Sequence, residues 1–174
     1  SLGSTSGATS ITSGAALSIS GGITVAEPIT VNGTGVSSGG AIVFTGGNNT
    51  YSGAITVGST STIVSSSGTQ TISGTVNGGQ ALTITANDNL TISGAVGGST
   101  ALTTYAVTTT GSATQTFDDP GENNDIKTTG NQTYTAAGGI VLNGHIIFFS
   151  GGTVNFASAV SGSGSNNAGN HNLT

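Results

Sequence analysis

Four of the six acidic residues of this chain fall within one short stretch: Asp118, Asp119, Glu122 and Asp125. Close-set carboxylates supply hard oxygen ligands, so the chemistry this stretch could do is calcium binding. Its spacing differs from the twelve-residue calcium loop and from the glycine-rich nonapeptide of calcium-binding β-rolls. Pro120-Gly121 in its middle marks a turn. The competing reading is a solvated acidic turn.

The remaining ionisable residues are sparse. His145 and His171 have no neighbouring acid or thiol in sequence, and a metal or acid–base role needs convergent partners. They read as corner or surface histidines. There is no Cys, Met or Trp, which excludes disulfides, thiolate metal centres and thiol redox chemistry. Outside the acidic stretch the only acids are Glu27 and Asp88. Acid–base cleavage of sugars needs two carboxylates within about 10 Å. In a repeat architecture of about 20 residues per coil these two lie three coils apart, roughly 14 Å at the strand spacing. Lys127 is the single basic residue and the formal net charge is −5. Such a chain cannot neutralise a row of phosphates or hold an anionic membrane surface. No run of apolar residues is long enough to span a bilayer. The expectation is therefore no enzyme, no nucleic acid and no membrane span.

A recurring phrase sets the elements that must carry these residues. Thr50-Tyr51-Ser52-Gly53-Ala54-Ile55 returns as Thr71-Ile72-Ser73-Gly74-Thr75-Val76 and as Thr91-Ile92-Ser93-Gly94-Ala95-Val96. Looser copies are Thr133-Tyr134-Thr135-Ala136-Ala137 and Asn155-Phe156-Ala157-Ser158-Ala159-Val160. The apolar markers at 51, 72, 92, 134 and 156 step by about 21 residues or twice that. A repeat of about 20 residues with strand chemistry describes a solenoid, whose units bury their apolar faces only by stacking.

Between the repeats, alternation puts Leu17 and Ile19, or Leu82 and Ile84, on one side of a strand and Thr or Ser on the other. β-Branched residues suit a pleated surface. Glycine-containing pairs punctuate the runs: Gly21-Gly22, Asn32-Gly33, Gly39-Gly40, Gly46-Gly47, Asn77-Gly78, Gly97-Gly98, Gly138-Gly139, Asn143-Gly144 and Gly151-Gly152. They are expected to turn corners at positive φ. No window keeps a helical period. A β-sandwich also fits short, evenly spaced strands. It has no need, however, of like residues at the same point in each repeat, whereas stacked coils do. The fold expected is all-β: a single parallel β-helix of about eight coils, from 174 residues at about 21 per coil, roughly 38 Å long at ~4.8 Å per coil. The 118–125 stretch is expected to protrude as a short acidic loop. Residues 1–174 form one segment. It opens and closes inside repetitive text, which suggests a piece of a longer exoprotein.

The runs Leu82-Thr83-Ile84-Thr85, Asn89 to Leu102, Thr128 to Tyr134 and Gly152 to Phe156 resemble the repeats of large bacterial surface adhesins. These are the filamentous-haemagglutinin-like and autotransporter-type exoproteins with β-strand repeats. The resemblance covers roughly residues 40–174. It implies a right-handed parallel β-helix serving as an extracellular stalk or adhesive segment that supports attachment or biofilm. It implies no cofactor and carries over no catalytic residue. Its receptor on a host or other surface is unidentified.

Other features point elsewhere. Ile146-Ile147-Phe148-Phe149 is an apolar run in which alternation sends two residues outward, a patch suited to a partner or to lateral stacking unless a loop covers it. Open coil ends would permit end-to-end association into a filament or sheath. Thr-x-Thr, as at Thr83-Ile84-Thr85 and Thr108-Thr109-Thr110, could form an ice-binding surface, but it does not recur at one fixed place in each repeat. Sugar recognition would need exposed aromatic platforms, and of Tyr51, Tyr105 and Tyr134 two sit at the inward marker position. Five Asn-x-Thr triplets, at Asn32, Asn48, Asn89, Asn131 and Asn172, match the glycosylation pattern; in a bacterial chain most are expected to stay unmodified.

Overall fold

The computed structural model describes residues 7–119 and 125–162. Within them the chain winds through seven coils of parallel strands, with no α-helix. The first coil holds β1 (Thr9–Ile11), β2 (Leu17–Ser20) and β3 (Thr24–Val25). The second holds β4 (Ile29–Gly33), β5 (Ile42–Gly46) and β6 (Thr50–Tyr51), with a 3-10 turn at Val36–Ser38 before β5. In the third, β7 (Ile55–Ser65) runs through a corner and β8 (Gln70–Ile72) follows. The fourth holds β9 (Val76–Asn77), β10 (Leu82–Ala86) and β11 (Leu90–Ile92). The fifth places Val96 as a single bridge residue before β12 (Tyr105–Thr109) and β13 (Gln115–Asp118). The sixth holds β14 (Ile126–Thr128), β15 (Gln132–Ala136) and β16 (Ile140–Asn143). The seventh holds β17 (Phe148–Ser150), β18 (Val154–Phe156) and β19 (Val160–Gly162).

The coils stack into three walls. Wall I stacks β1, β4, the start of β7, β9, Val96, β14 and β17. Wall II stacks β2, β5, the end of β7, β10, β12, β15 and β18. Wall III stacks β3, β6, β8, β11, β13, β16 and β19.

Register makes the core a set of ladders. On wall II the inward column is Leu17, Ile42, Ile63, Ile84, Val107, Tyr134, Phe156. On wall III it is Val25, Tyr51, Ile72, Ile92, Phe117, Leu142, ending at Gly162. Wall I contributes Ile29, Ile55, Val76, Val96, Ile126 and Phe148. Strict alternation drives this. In β10, Leu82, Ile84 and Ala86 are buried while Thr83 is exposed. Each buried Ile, Leu or Val contributes about 1.5–3 kcal/mol over its exposed state, and a coil gains that only with a neighbour above or below. Phe117, Phe148 and Phe156 gather round Tyr134 with ring centroids 5.1–5.4 Å from it, and Tyr105 meets it edge-on at 6.0 Å.

Three expectations need correction. The described residues make seven coils, against eight expected of all 174 residues, and the coils are unequal in length. From Ile72 to Ile92 the coil is short, whereas from Val25 to Tyr51, Ile92 to Phe117 and Phe117 to Leu142 the chain takes a longer path round. Second, Tyr134 and Phe156 do not continue the ladder of Tyr51, Ile72 and Ile92; they belong to wall II, and Phe117 and Leu142 continue wall III. Third, the acidic stretch is not wholly a protruding loop. Asp118 ends β13 and Asp119 is buried; residues 120–124 lie outside the described part.

Glycine pairs do turn corners. Each has a residue at positive φ except Gly151-Gly152. The glycine of the repeated phrase has another cause. A Cβ on Gly74 would run into the carbonyl oxygen of Gly53, and one on Gly94 into that of Gly74. Glycine is needed there because successive coils press backbone on backbone.

Candidate functional site

The acidic residues are divided between two walls. Asp118 faces Asn143 in register, and the Asn143 side-chain amide donates to Asp118 Oδ1 at 2.6 Å. The Asp119 backbone N–H donates to the Asn143 carbonyl at 2.8 Å. Asp125, at the entry to β14, sits 3.3 Å from Lys127 Nζ. Glu122 lies outside the described residues. Among the described residues no three His, Asp or Glu side chains converge as a metal-holding group. His145 is exposed just after β16, and His171 lies outside the described part.

The apolar run 146–149 is split by the pleat of β17. Ile146 is buried and Phe148 packs into the aromatic cluster. Ile147 is half-buried, and its carbonyl accepts the Ile126 N–H at 2.9 Å. Phe149 alone is well exposed, at 47%. Lys127, its register partner on β14, holds its ammonium 5.2 Å from the Phe149 ring centroid. Lys127 thus bridges Asp125 and Phe149, a cation–π contact beside an ion pair.

The other acids serve corners. Asp88 Oδ2 accepts the Gly68 N–H at 2.7 Å. Glu27 is buried between β3 and β4, and its Oε1 accepts from the Thr9 hydroxyl at 3.3 Å. All three tyrosines are inward, so none is a platform for sugars. Tyr51 donates to the Glu27 carbonyl at 2.8 Å, and Tyr134 to Gln132 Oε1 at 2.9 Å. The Tyr105 hydroxyl is buried with no partner among the described residues. Burial pushes all three phenols up; the Glu27 charge adds to the rise at Tyr51, and Tyr105 adds to it at Tyr134.

Sequence reasoning missed an interior set of amides: Asn49, Gln70, Gln115 and Gln132, all buried. Gln70 Nε2 donates to the carbonyls of Gly47, Ser67 and Gly68 at 2.8–3.0 Å, while its Oε1 accepts from Asn49. Gln115 Nε2 reaches Val107 and Thr135 carbonyls, and Gln132 Nε2 reaches those of Ile126 and Phe149. Gln70 thus braces corner carbonyls, and Gln115 and Gln132 brace carbonyls of neighbouring strands, so the buried amide nitrogens find partners. The signal was present in Thr69-Gln70-Thr71-Ile72, Thr114-Gln115-Thr116-Phe117 and Asn131-Gln132-Thr133-Tyr134. Corner asparagines do similar work between coils. Asn48, Asn89 and Asn131 accept backbone N–H groups of Thr69, Thr114 and Thr153, and Asn32 donates to the Ile11 carbonyl. Four of the five glycosylation-like asparagines thus act as corner braces. Asn172 lies outside the described residues.

What remains is the outer surface. On wall II the outward residues form two columns: Thr62, Thr83, Ala106, Thr133, and beside it Val64, Thr85, Thr108, Thr135. The complete Thr-x-Thr motif takes this place only in alternate coils, at Thr83-Ile84-Thr85 and Thr133-Tyr134-Thr135, but at least one outward threonine stands on each of the four rungs. Variable coil length hid this alignment. On wall III the outward column is Thr24, Thr50, Thr71, Thr91 and Thr116. Its neighbour runs Ser52, Ser73, Ser93 and then Asp118 and Asn143. No family model, curated protein or solved structure matches this chain.

Proposed function

We propose that the chain is a rigid structural segment, an extracellular stalk or adhesive piece of a large bacterial surface protein that supports attachment or biofilm. The observation that carries this reading is the parallel coil-on-coil stacking of three walls over seven coils. Such a stack is a stiff rod that needs no disulfide, and repeat stacking is a way to set length. The described acids are engaged in corner contacts and an ion pair rather than in a convergent pair, which favours a non-catalytic role. With one Lys and no Arg, the rod offers few trypsin sites, as suits a surface-exposed segment.

Antibodies raised against the purified segment test this on intact cells of the source organism. Surface labelling and inhibition of attachment are expected. Labelling only after lysis would overturn the reading. The rival reading, a filament or sheath subunit, is separated by sedimentation of the purified chain: a stalk segment stays monomeric, and a subunit forms growing end-to-end species. Calcium at 118–125 is tested by titration against melting temperature, where a rise marks binding.

A further inference from the structure

Wall II carries an outward lattice that the stalk reading does not use. Over four consecutive rungs, from β7 to β15, its two columns hold eight residues, of which six are threonine and the others Ala106 and Val64. No register shift interrupts these rungs, unlike the irregularities at Ile19/Ser20 and Val31/Gly33 nearer the start. The residues between the columns are buried at every rung: Ile63, Ile84, Val107 and Tyr134. The array is therefore fixed from beneath.

The threonine hydroxyls are uncommitted. Corner threonines bond to the protein: Thr109 to Ala113, Thr110 to Asn87, Thr114 to Asn89 and Thr128 to Gly130. Thr62, Thr83, Thr85, Thr108, Thr133 and Thr135 make no such side-chain bond to a described residue. β-Branching restricts χ1, which limits the orientations each hydroxyl can take. Rungs repeat at about 4.8 Å along the axis, and alternate residues at roughly 6.7 Å across it. Both repeats lie close to oxygen repeats of hexagonal ice.

The lattice suits few other surfaces. It has no charge for an anionic or cationic partner, and no aromatic ring on which a sugar could stack. It offers a methyl and a hydroxyl at each threonine, in register from rung to rung. We propose that the outer surface of wall II binds ice, with threonine hydroxyls anchoring, and methyls ordering, a sheet of lattice water. Wall III is a poorer match, because its second column carries Asp118, and Ser52 turns its hydroxyl to the Val25 carbonyl.

The test measures the gap between melting and freezing, and the enrichment of protein in growing ice, on the purified 174-residue chain. The expected result is a measurable gap with enrichment over an inert protein of equal size. Thr108→Lys, at the centre of the lattice, is expected to abolish both. Thr108→Val, which keeps shape and methyls, reduces them, and Thr71→Lys on wall III leaves them intact. Circular dichroism verifies that each variant stays folded. A wild-type chain with no gap and no enrichment overturns the proposal, as does equal loss from Thr108→Lys and Thr71→Lys. Retention on insoluble neutral polysaccharide, or lateral self-association, without ice enrichment also overturns it. None of these outcomes bears on surface labelling, so the stalk reading stands or falls separately.

Discussion

At the scale of single residues, the interior is mostly apolar but is pinned by a few polar atoms whose partners decide their worth. The three buried phenols make the clearest contrast. Tyr51 and Tyr134 each donate a hydrogen bond, and Tyr105 donates none to a described residue. A net hydrogen bond contributes about 0.5–1.5 kcal/mol, whereas an unpaired buried donor costs about 1–3 kcal/mol. Tyr51→Phe and Tyr134→Phe are therefore expected to destabilise by about 1 kcal/mol. Tyr105→Phe is expected to be neutral or stabilising. Urea unfolding of the three variants reads the difference directly.

At the scale of elements, coil-to-coil contact governs which residues are tolerated. Gly53, Gly74 and Gly94 form a column in which each Cα faces the carbonyl of the coil below. Gly74→Ala forces backbone apart and is expected to cost about 1–3 kcal/mol, as overpacking does. Gly79, with open space around it and no positive φ, is the control; its replacement by Ala is expected to be neutral or stabilising by up to about 1 kcal/mol. Thermal melts of both variants test this.

The same scale explains what was legible in the sequence. Tyr51, Ile72 and Ile92 read as stacked because the coils that separate them are nearly equal in length. Beyond Ile92 the coils lengthen, and the next rungs of that wall are Phe117 and Leu142. An even step then lands on Tyr134, an inward residue of the wrong wall. Alternation still gave the correct burial for Tyr134, so strand and core were readable where register was not. The outer lattice of wall II was lost for the same reason: Thr83, Ala106 and Thr133 are equivalent in space but unevenly spaced in sequence. The glutamine braces have no periodic hydrophobic signal, and their role depends on where the fold places acceptor carbonyls, at corners for Gln70 and on strands for Gln115 and Gln132.

At the scale of the whole molecule, stability is a sum over neighbouring coils, and its alkaline limit follows from the tyrosines. Their phenols hold protons in the folded chain above the ordinary value of 10.0. The folded state thus binds more protons than the unfolded one once the unfolded phenols ionise. Their contribution is complete below about pH 10 and is lost as pH climbs further, by about 1.4 kcal/mol per pH unit for each phenol. Melting temperature is expected to drop steeply between about pH 10 and 12, and less steeply in Tyr105→Phe. A melting temperature independent of pH across that window would show that the phenols are not enclosed in the core.

The stacking itself is open to one direct measurement, because the chain has no native cysteine. Outward partners on adjacent coils lie at about 4.8 Å, within the Cα range of a disulfide. Cysteine pairs at Thr71 and Thr91, and at Thr91 and Thr116, are register neighbours on wall III. Both pairs are expected to close rapidly under mild oxidation, and a pair at Thr91 and Thr133, matched by the phrase but on different walls, is expected to stay open. Closure of the Thr91–Thr133 pair with the other two open would contradict the coil-on-coil arrangement described here.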